Sequence, residues 1–152
     1  MNKTETKQLW NALCACTCKP GRHAPYDCVC VHDKIVYATN SYVLHRVEGL
    51  FQPASAFKAL FEHSCAYTDR AAFLDGILAY NPESRDFKSL CPLYDPAYLA
   101  LALRPHKAVG SKNLQFFPGS GRDHAPLIMT SAVKTSHDPI VITTAVQGLR
   151  RG

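Results

Sequence analysis

The sequence predicts an α+β fold: a duplicated helix plus three-strand antiparallel unit, with a helical insert between the two copies. Three observations carry this. Residues 4–16 place apolar side chains at helical spacing. Residues 28–47 form a β-branched run broken by two short polar turns. Residues 93–151 repeat that order, with a capped helix followed by three strand-like runs. The organisation that follows is one domain over residues 1–152. Its first half is 1–49, an insert and linker occupy 50–92, and the second half is 93–152.

The bulk numbers fit one globular domain. The chain has 152 residues, of which 47% are hydrophobic and 19% charged. That balance is globular rather than disordered, and a domain of this size buries about 70% of its unfolded surface. The formal net charge is +5, which is compatible with a nucleic-acid partner and equally with an ordinary basic surface. No apolar run is long enough to span a bilayer, so no membrane role is expected. The opening MNKTETKQLW has no secretory h-region, which points to a cytoplasmic chain. Seven cysteines in a reducing compartment should be mostly thiols.

The elements follow in order. In the first helix Thr4 is the expected N-cap, and Lys7 stands where a capping-box Glu would sit. Leu9, Trp10, Leu13 and Cys14 form the apolar stripe, and Pro20-Gly21 ends the element. Cys28 to Val31, Ile35 to Thr39 and Tyr42 to Val47 read as a three-strand meander, with turns at His32-Asp33-Lys34 and Asn40-Ser41.

In the insert, Pro53 opens a helix carrying Phe57, Leu60, Phe61 and Cys65. Thr68 then caps a short helix with Phe73, Leu74, Ile77 and Leu78 apolar, closed by Asn81-Pro82. In the second half Asp95 caps a helix with Pro96 at its first position, and Arg104-Pro105 is expected to stop it. Strands are expected at 114–117, 126–130 and 140–146.

Several stretches resemble one domain of the bacterial sliding clamp, the β subunit of DNA polymerase III. Tyr37-Ala38-Thr39-Asn40-Ser41-Tyr42-Val43-Leu44 resembles its A-T-D-G-x-R-L strand-turn-strand motif. Leu93-Tyr94-Asp95-Pro96-Ala97-Tyr98-Leu99 is similar to the F-N/D-x-x-Y-L that opens a late helix. Gln147-Gly148-Leu149-Arg150 resembles the M-P-V/M-R-L tail, and residues 81–92 resemble the F-P-D-Y/F segment before the last domain. Here Asn40-Ser41 stands for Asp-Gly, Val43 for the Arg and Gly148 for the tail Pro. Residues 50–80 lie outside the likeness.

The resemblance implies a DNA-clamp-like fold with no catalytic role. Helices would line a ring around duplex DNA, strands would form its rim, and edge strands would pair between copies. With one domain per chain, a homo-oligomer of about six copies would be needed to match the family's ring. The family's pocket for short peptide motifs of replication or repair proteins carries over to Thr39, Tyr42, Leu44, Leu149 and Arg150. Non-specific phosphate contact by Lys and Arg carries over to Lys7, Lys19, Arg22, Arg104 and Lys107. An adaptor that binds a protein partner without encircling DNA is the alternative.

Other chemistries are weaker. Cys14-x-Cys16-x-Cys18 and Cys28-x-Cys30, with His23 and His32, depart from the C-x2–4-C spacing of structural zinc. Buried thiols that behave as small hydrophobes are the expectation, with no metal and no cofactor. A small thiol or metal enzyme could be assembled from Cys65 with His63, or from Cys91, but no local signature supports it. His23, His106, His124 and His137 read as loop histidines. Phe117-Pro118-Gly119-Ser120-Gly121-Arg122 lacks the pattern of a phosphate-cradling loop and reads as a hairpin turn.

Overall fold

A computed structural model describes residues 1–17, 28–52, 66–90, 93–120 and 125–149. Helix α1 spans Lys3–Ala15. Its N-cap is Asn2, two residues before the expected Thr4. Asn2 Oδ1 accepts the Glu5 amide at 2.8 Å, and Asn2 Nδ2 donates to Glu5 Oε1 at 2.7 Å. Glu5 therefore takes the place in the cap that Lys7 could not fill. Leu9 and Leu13 are fully buried and Ala12 nearly so. Cys14 is exposed instead of joining the stripe. It stands one residue, about 100° of helical turn, beyond Leu13. At the end of the helix it is Cys16 that is buried, and its Sγ donates to the Val43 carbonyl at 3.4 Å.

Strands β1 (Cys30–His32), β2 (Ile35–Thr39) and β3 (Val43–Glu48) form the expected meander. Their pairing is antiparallel, with Val31 opposite Val36 and Ala38 opposite His45. The first turn places Asp33 and Lys34 at φ 47° and 64°. Two left-handed residues in a two-residue loop match the right-handed twist of a hairpin. In the second turn Asn40 Oδ1 accepts the amides of Tyr42 and Val43 at 2.9 and 2.8 Å. The asparagine side chain thus stands in for backbone acceptors that the turn lacks.

The expected helix from Pro53 lies outside the described residues. Beyond it, β4 (Ala66–Tyr67) runs parallel to β1. Helix α2 spans Ala71–Ile77. Thr68 does not cap it directly. Its Oγ1 accepts the Arg70 amide at 3.1 Å, shaping the turn that leads into the helix. A short 3-10 helix follows at Phe87–Ser89.

Helix α3 spans Pro96–Ala108, with Asp95 Oδ1 accepting the Ala97 amide at 2.8 Å. The expected stop at Arg104-Pro105 does not occur: Pro105 lies inside the helix and is buried. Proline here leaves one carbonyl, that of Leu101, without its intrahelical donor. His106 sits on the same turn and is 1% exposed, so it is a core residue and not a loop histidine. Strands β5 (Gln115–Pro118), β6 (Leu127–Val133) and β7 (Ile140–Val146) complete the chain.

The described strands join one seven-stranded mixed sheet in the order β4-β1-β2-β3-β7-β6-β5. Each helix-plus-three-strand run supplies one side of the sheet, and the two runs meet where β3 pairs with β7, from Val43 opposite Val146 to Glu48 opposite Val141. Alternation along the strands then makes two faces. One face carries Val36, Ala38, Val47 and Ile142 against Leu9 and Leu13 of α1, and Met129 and Val146 beside Ala102 of α3. The other carries Tyr37, Leu44, Phe117, Ile128 and Ala145 against Ala71, Leu74 and Leu78 of α2. Among the described residues no helix is long and apolar enough to cross a membrane.

Candidate functional site

Among the described residues the α2 face is only partly covered, because α2 is two turns long and the sheet beneath it is wide. Polar contacts fix where the helix sits. Asp75 Oδ1 accepts the Tyr37 hydroxyl at 2.9 Å and the Arg46 guanidinium at 3.0 Å. Burial, then the hydrogen bond to Asp75 and its negative charge, raise the Tyr37 phenol above its ordinary pKa, so it stays a donor.

Between α2 and the β2–β3 turn a groove of about 310 Å3 remains open. Thr39, Ser41, Tyr42, Val43 and Leu44 form one wall, and Phe73, Leu74 and Ile77 of α2 form another. Pro126, Ala145 and Gln147 close the end. Its apolar side chains are unusually exposed: Phe73 is 58% accessible, Tyr42 51% and Ile77 38%. Burying these exposed apolar groups would be favourable.

The walls are braced from behind. Tyr42 stacks on Tyr98 of α3 with ring centroids 4.7 Å apart and planes 9° from parallel. The Gln147 amide donates to the Tyr42 carbonyl at 2.8 Å, so the chain after β7 is tied to the same turn. The Arg70 guanidinium lies 5.3 Å from the centroid of the Phe73 ring and places a positive charge beside the apolar wall.

The structure brings Thr39, Tyr42 and Leu44 together in this groove. Leu149 is not part of the lining. Its amide donates to the Leu93 carbonyl at 2.8 Å, which directs the tail towards the start of α3. Arg150 lies outside the described residues. The α2 residues Phe73, Leu74 and Ile77 were not among the expected pocket residues. A signal for them was present. Phe73 and Ile77 form one i, i+4 row and Leu74 and Leu78 a second, and a seven-residue helix resting on a sheet buries only one row well.

The basic residues fall on the opposite face. Lys7 is exposed on α1, and Arg104 and Lys107 are exposed on α3. Arg104 and Lys107 border a shallow depression between the two helices, beside Gln8 and Asn11. Lys107 also sits in the last turn of α3, where a cation suits the helix dipole. Lys19 and Arg22 lie outside the described residues.

The thiols separate between the two faces. Cys16 is buried with α3 and Val43, whereas Cys28 and Cys30 belong to the α2 side. Among the described residues no three His, Cys, Asp or Glu side chains approach closely enough to hold a metal ion. Cys18, His23, His63, Cys65 and Cys91 lie outside them. Phe117 and Pro118 end β5, which pairs antiparallel with β6, with Pro118 opposite Leu127 and the Gly119 amide donating to the Pro126 carbonyl at 2.8 Å; residues 121–124 of the expected turn lie outside the described residues. Comparison of the chain with protein-family models, curated proteins and solved structures gave no match.

Proposed function

We propose that this chain is a non-enzymatic, DNA-clamp-like binding protein whose groove receives a short apolar segment of a replication or repair protein. The groove carries the reading. Phe73, Ile77 and Tyr42, three of the nine exposed large apolar residues among those described, converge on one depression with Thr39 and Leu44. The sheet order, with two helix-plus-three-strand runs meeting at β3–β7, supports the clamp-like comparison. Cytoplasmic location and assembly of several copies through edge strands belong to the same proposal.

The test is fluorescence anisotropy with a short labelled peptide containing leucine and phenylalanine. Binding should be saturable, and Ile77→Asp should weaken it at least about tenfold, the cost of placing a charge against an apolar ligand. Leu149→Asp, outside the groove, should leave it unchanged. Equal affinity for wild type and Ile77→Asp would remove the groove from the account.

A second reading is duplex DNA held along the α1–α3 face. It is favoured by Lys7, Arg104 and Lys107, which are all exposed there. Such binding would be independent of sequence and would fall steeply with added salt. A duplex that shows no retention at low salt would remove it.

A further inference from the structure

Beneath α3 a line of polar side chains crosses the sealed face of the sheet. His45 and Thr144 are 0% exposed, His106 1% and Ser131 6%. His45 Nδ1 lies 2.8 Å from Thr144 Oγ1, which lies 2.8 Å from His106 Nε2. His106 Nδ1 is 2.6 Å from Ser131 Oγ. The chain therefore ties β3, β7, α3 and β6 to one another. Buried polar groups are costly unless matched, so their arrangement is constrained.

The protons can be counted. Thr144 has one hydroxyl proton, so one imidazole accepts from it and the other donates to it. Pro105 favours one direction. Its missing N–H leaves the Leu101 carbonyl without a helical donor. That carbonyl favours the protonated His45 ring. His45 Nε2, the ring nitrogen that Thr144 does not use, has no hydrogen-bond partner. A proton on Nε2 is the tautomer that a nearby carbonyl favours, and a lone pair there is not. His45 Nδ1 then accepts from Thr144, Thr144 Oγ1 accepts from His106 Nε2–H, and His106 Nδ1 accepts from Ser131.

We propose that the His45–Thr144–His106–Ser131 chain is an acid-sensitive latch that holds α3 on the sheet only while at least one of the two imidazoles is neutral. A proton on His106 Nδ1 can be accommodated, because the Ser131 hydroxyl rotates and accepts it. A further proton on His45 Nδ1 cannot: both rings would donate to Thr144 Oγ1, and the threonine proton would lose its acceptor.

Among the described residues no ionic partner faces the rings. Arg46 and Glu48 of β3 are on the other face, where Arg46 meets Asp75 and Glu48. Arg104 and Lys107 of α3 and Lys3 and Lys7 of α1 are exposed, and Glu5 of α1 is at its capped N-terminus. The facing positions of β6 and β7 are Met129, Ser131, Ile142, Thr144 and Val146, none of them ionisable. In keeping with this, burial and then repulsion from His106 lower His45 to about 3, with the Leu101 carbonyl opposing. Burial lowers His106 to about 4.

The test is imidazole-detected NMR of the full chain from about pH 7.5 down to about pH 4.5, with backbone amide exchange read at each step. Both rings should be neutral at the upper end, with the His45 proton on Nε2. On acidification, α3 amides should lose protection at least about tenfold more than those of the β1–β2 hairpin. Titration of either ring near its ordinary value, or parallel loss of protection in α3 and the hairpin, would overturn the proposal. Thr144→Val removes the shared hydroxyl at similar volume and should lower α3 protection about tenfold at neutral pH. Unchanged protection would contradict the latch. If the variant does not fold, the wild-type titration decides alone.

Discussion

The two faces of the sheet are made from the same strands but solve opposite problems. On the α1–α3 face even the polar residues are sealed, and His45, Thr144, His106 and Ser131 are linked to one another in a chain. On the α2 face the apolar residues Phe73, Ile77 and Tyr42 are left open to solvent. Among the described residues two long helices cover one face, whereas one seven-residue helix covers part of the other. Substitutions in the closed face should therefore cost stability, and the proposed ligand is to be sought at the open groove.

The comparison can be broken first by pH. Both buried histidines have folded-state values depressed below their ordinary 6.5. The unfolded chain therefore binds protons first as pH falls. Stability is fully present above about pH 6.5 and is lost progressively as pH falls towards the folded values. At pH 5 each histidine should have cost roughly 2 kcal/mol, about 4 kcal/mol for the pair. Denaturant titrations at pH 7 and pH 5 measure it, and equal stability at both would contradict the closed face.

A core truncation comes next. Leu13→Ala removes a fully buried side chain from beneath α1 and should destabilise by about 3 kcal/mol in urea unfolding. On the other face, Asp75→Ala unties Tyr37 and Arg46 from α2. Asp75 is partly exposed, so the loss should be only about 1 kcal/mol, and amide exchange should place it in α2. The smallest effect on stability is expected for Phe73→Ser, within about 0.5 kcal/mol of wild type because the ring is already exposed. Its peptide affinity should nonetheless fall. A large loss of stability instead would mean that Phe73 belongs to the core.

Much of the fold was legible. Asp95-Pro96 marks a helix start by local chemistry alone, and the β-branched runs around two polar turns mark the meander. Local rules failed where tertiary contacts overrode them. Pro105 reads as a stop, but φ near −65° is compatible with helix, and the buried His106 that follows it is fixed by Ser131 and Thr144. No sequence pattern connects His45 with Thr144, which meet only because β3 pairs with β7.

The groove was half legible. Thr39, Tyr42 and Leu44 lie on a recognisable turn. The wall from α2 depends on how the insert folds back over the sheet, and that is set by the distant pair Tyr37 and Asp75.

The most direct test of the central claim is to map an apolar peptide on the isotopically labelled protein by amide chemical shifts. Perturbations should cluster at residues 39–44, at 73–77 and at Gln147, with α1 and the exposed side of α3 silent. Shifts centred on Gln8, Asn11, Arg104 and Lys107 instead would place binding on the helical face and contradict the account.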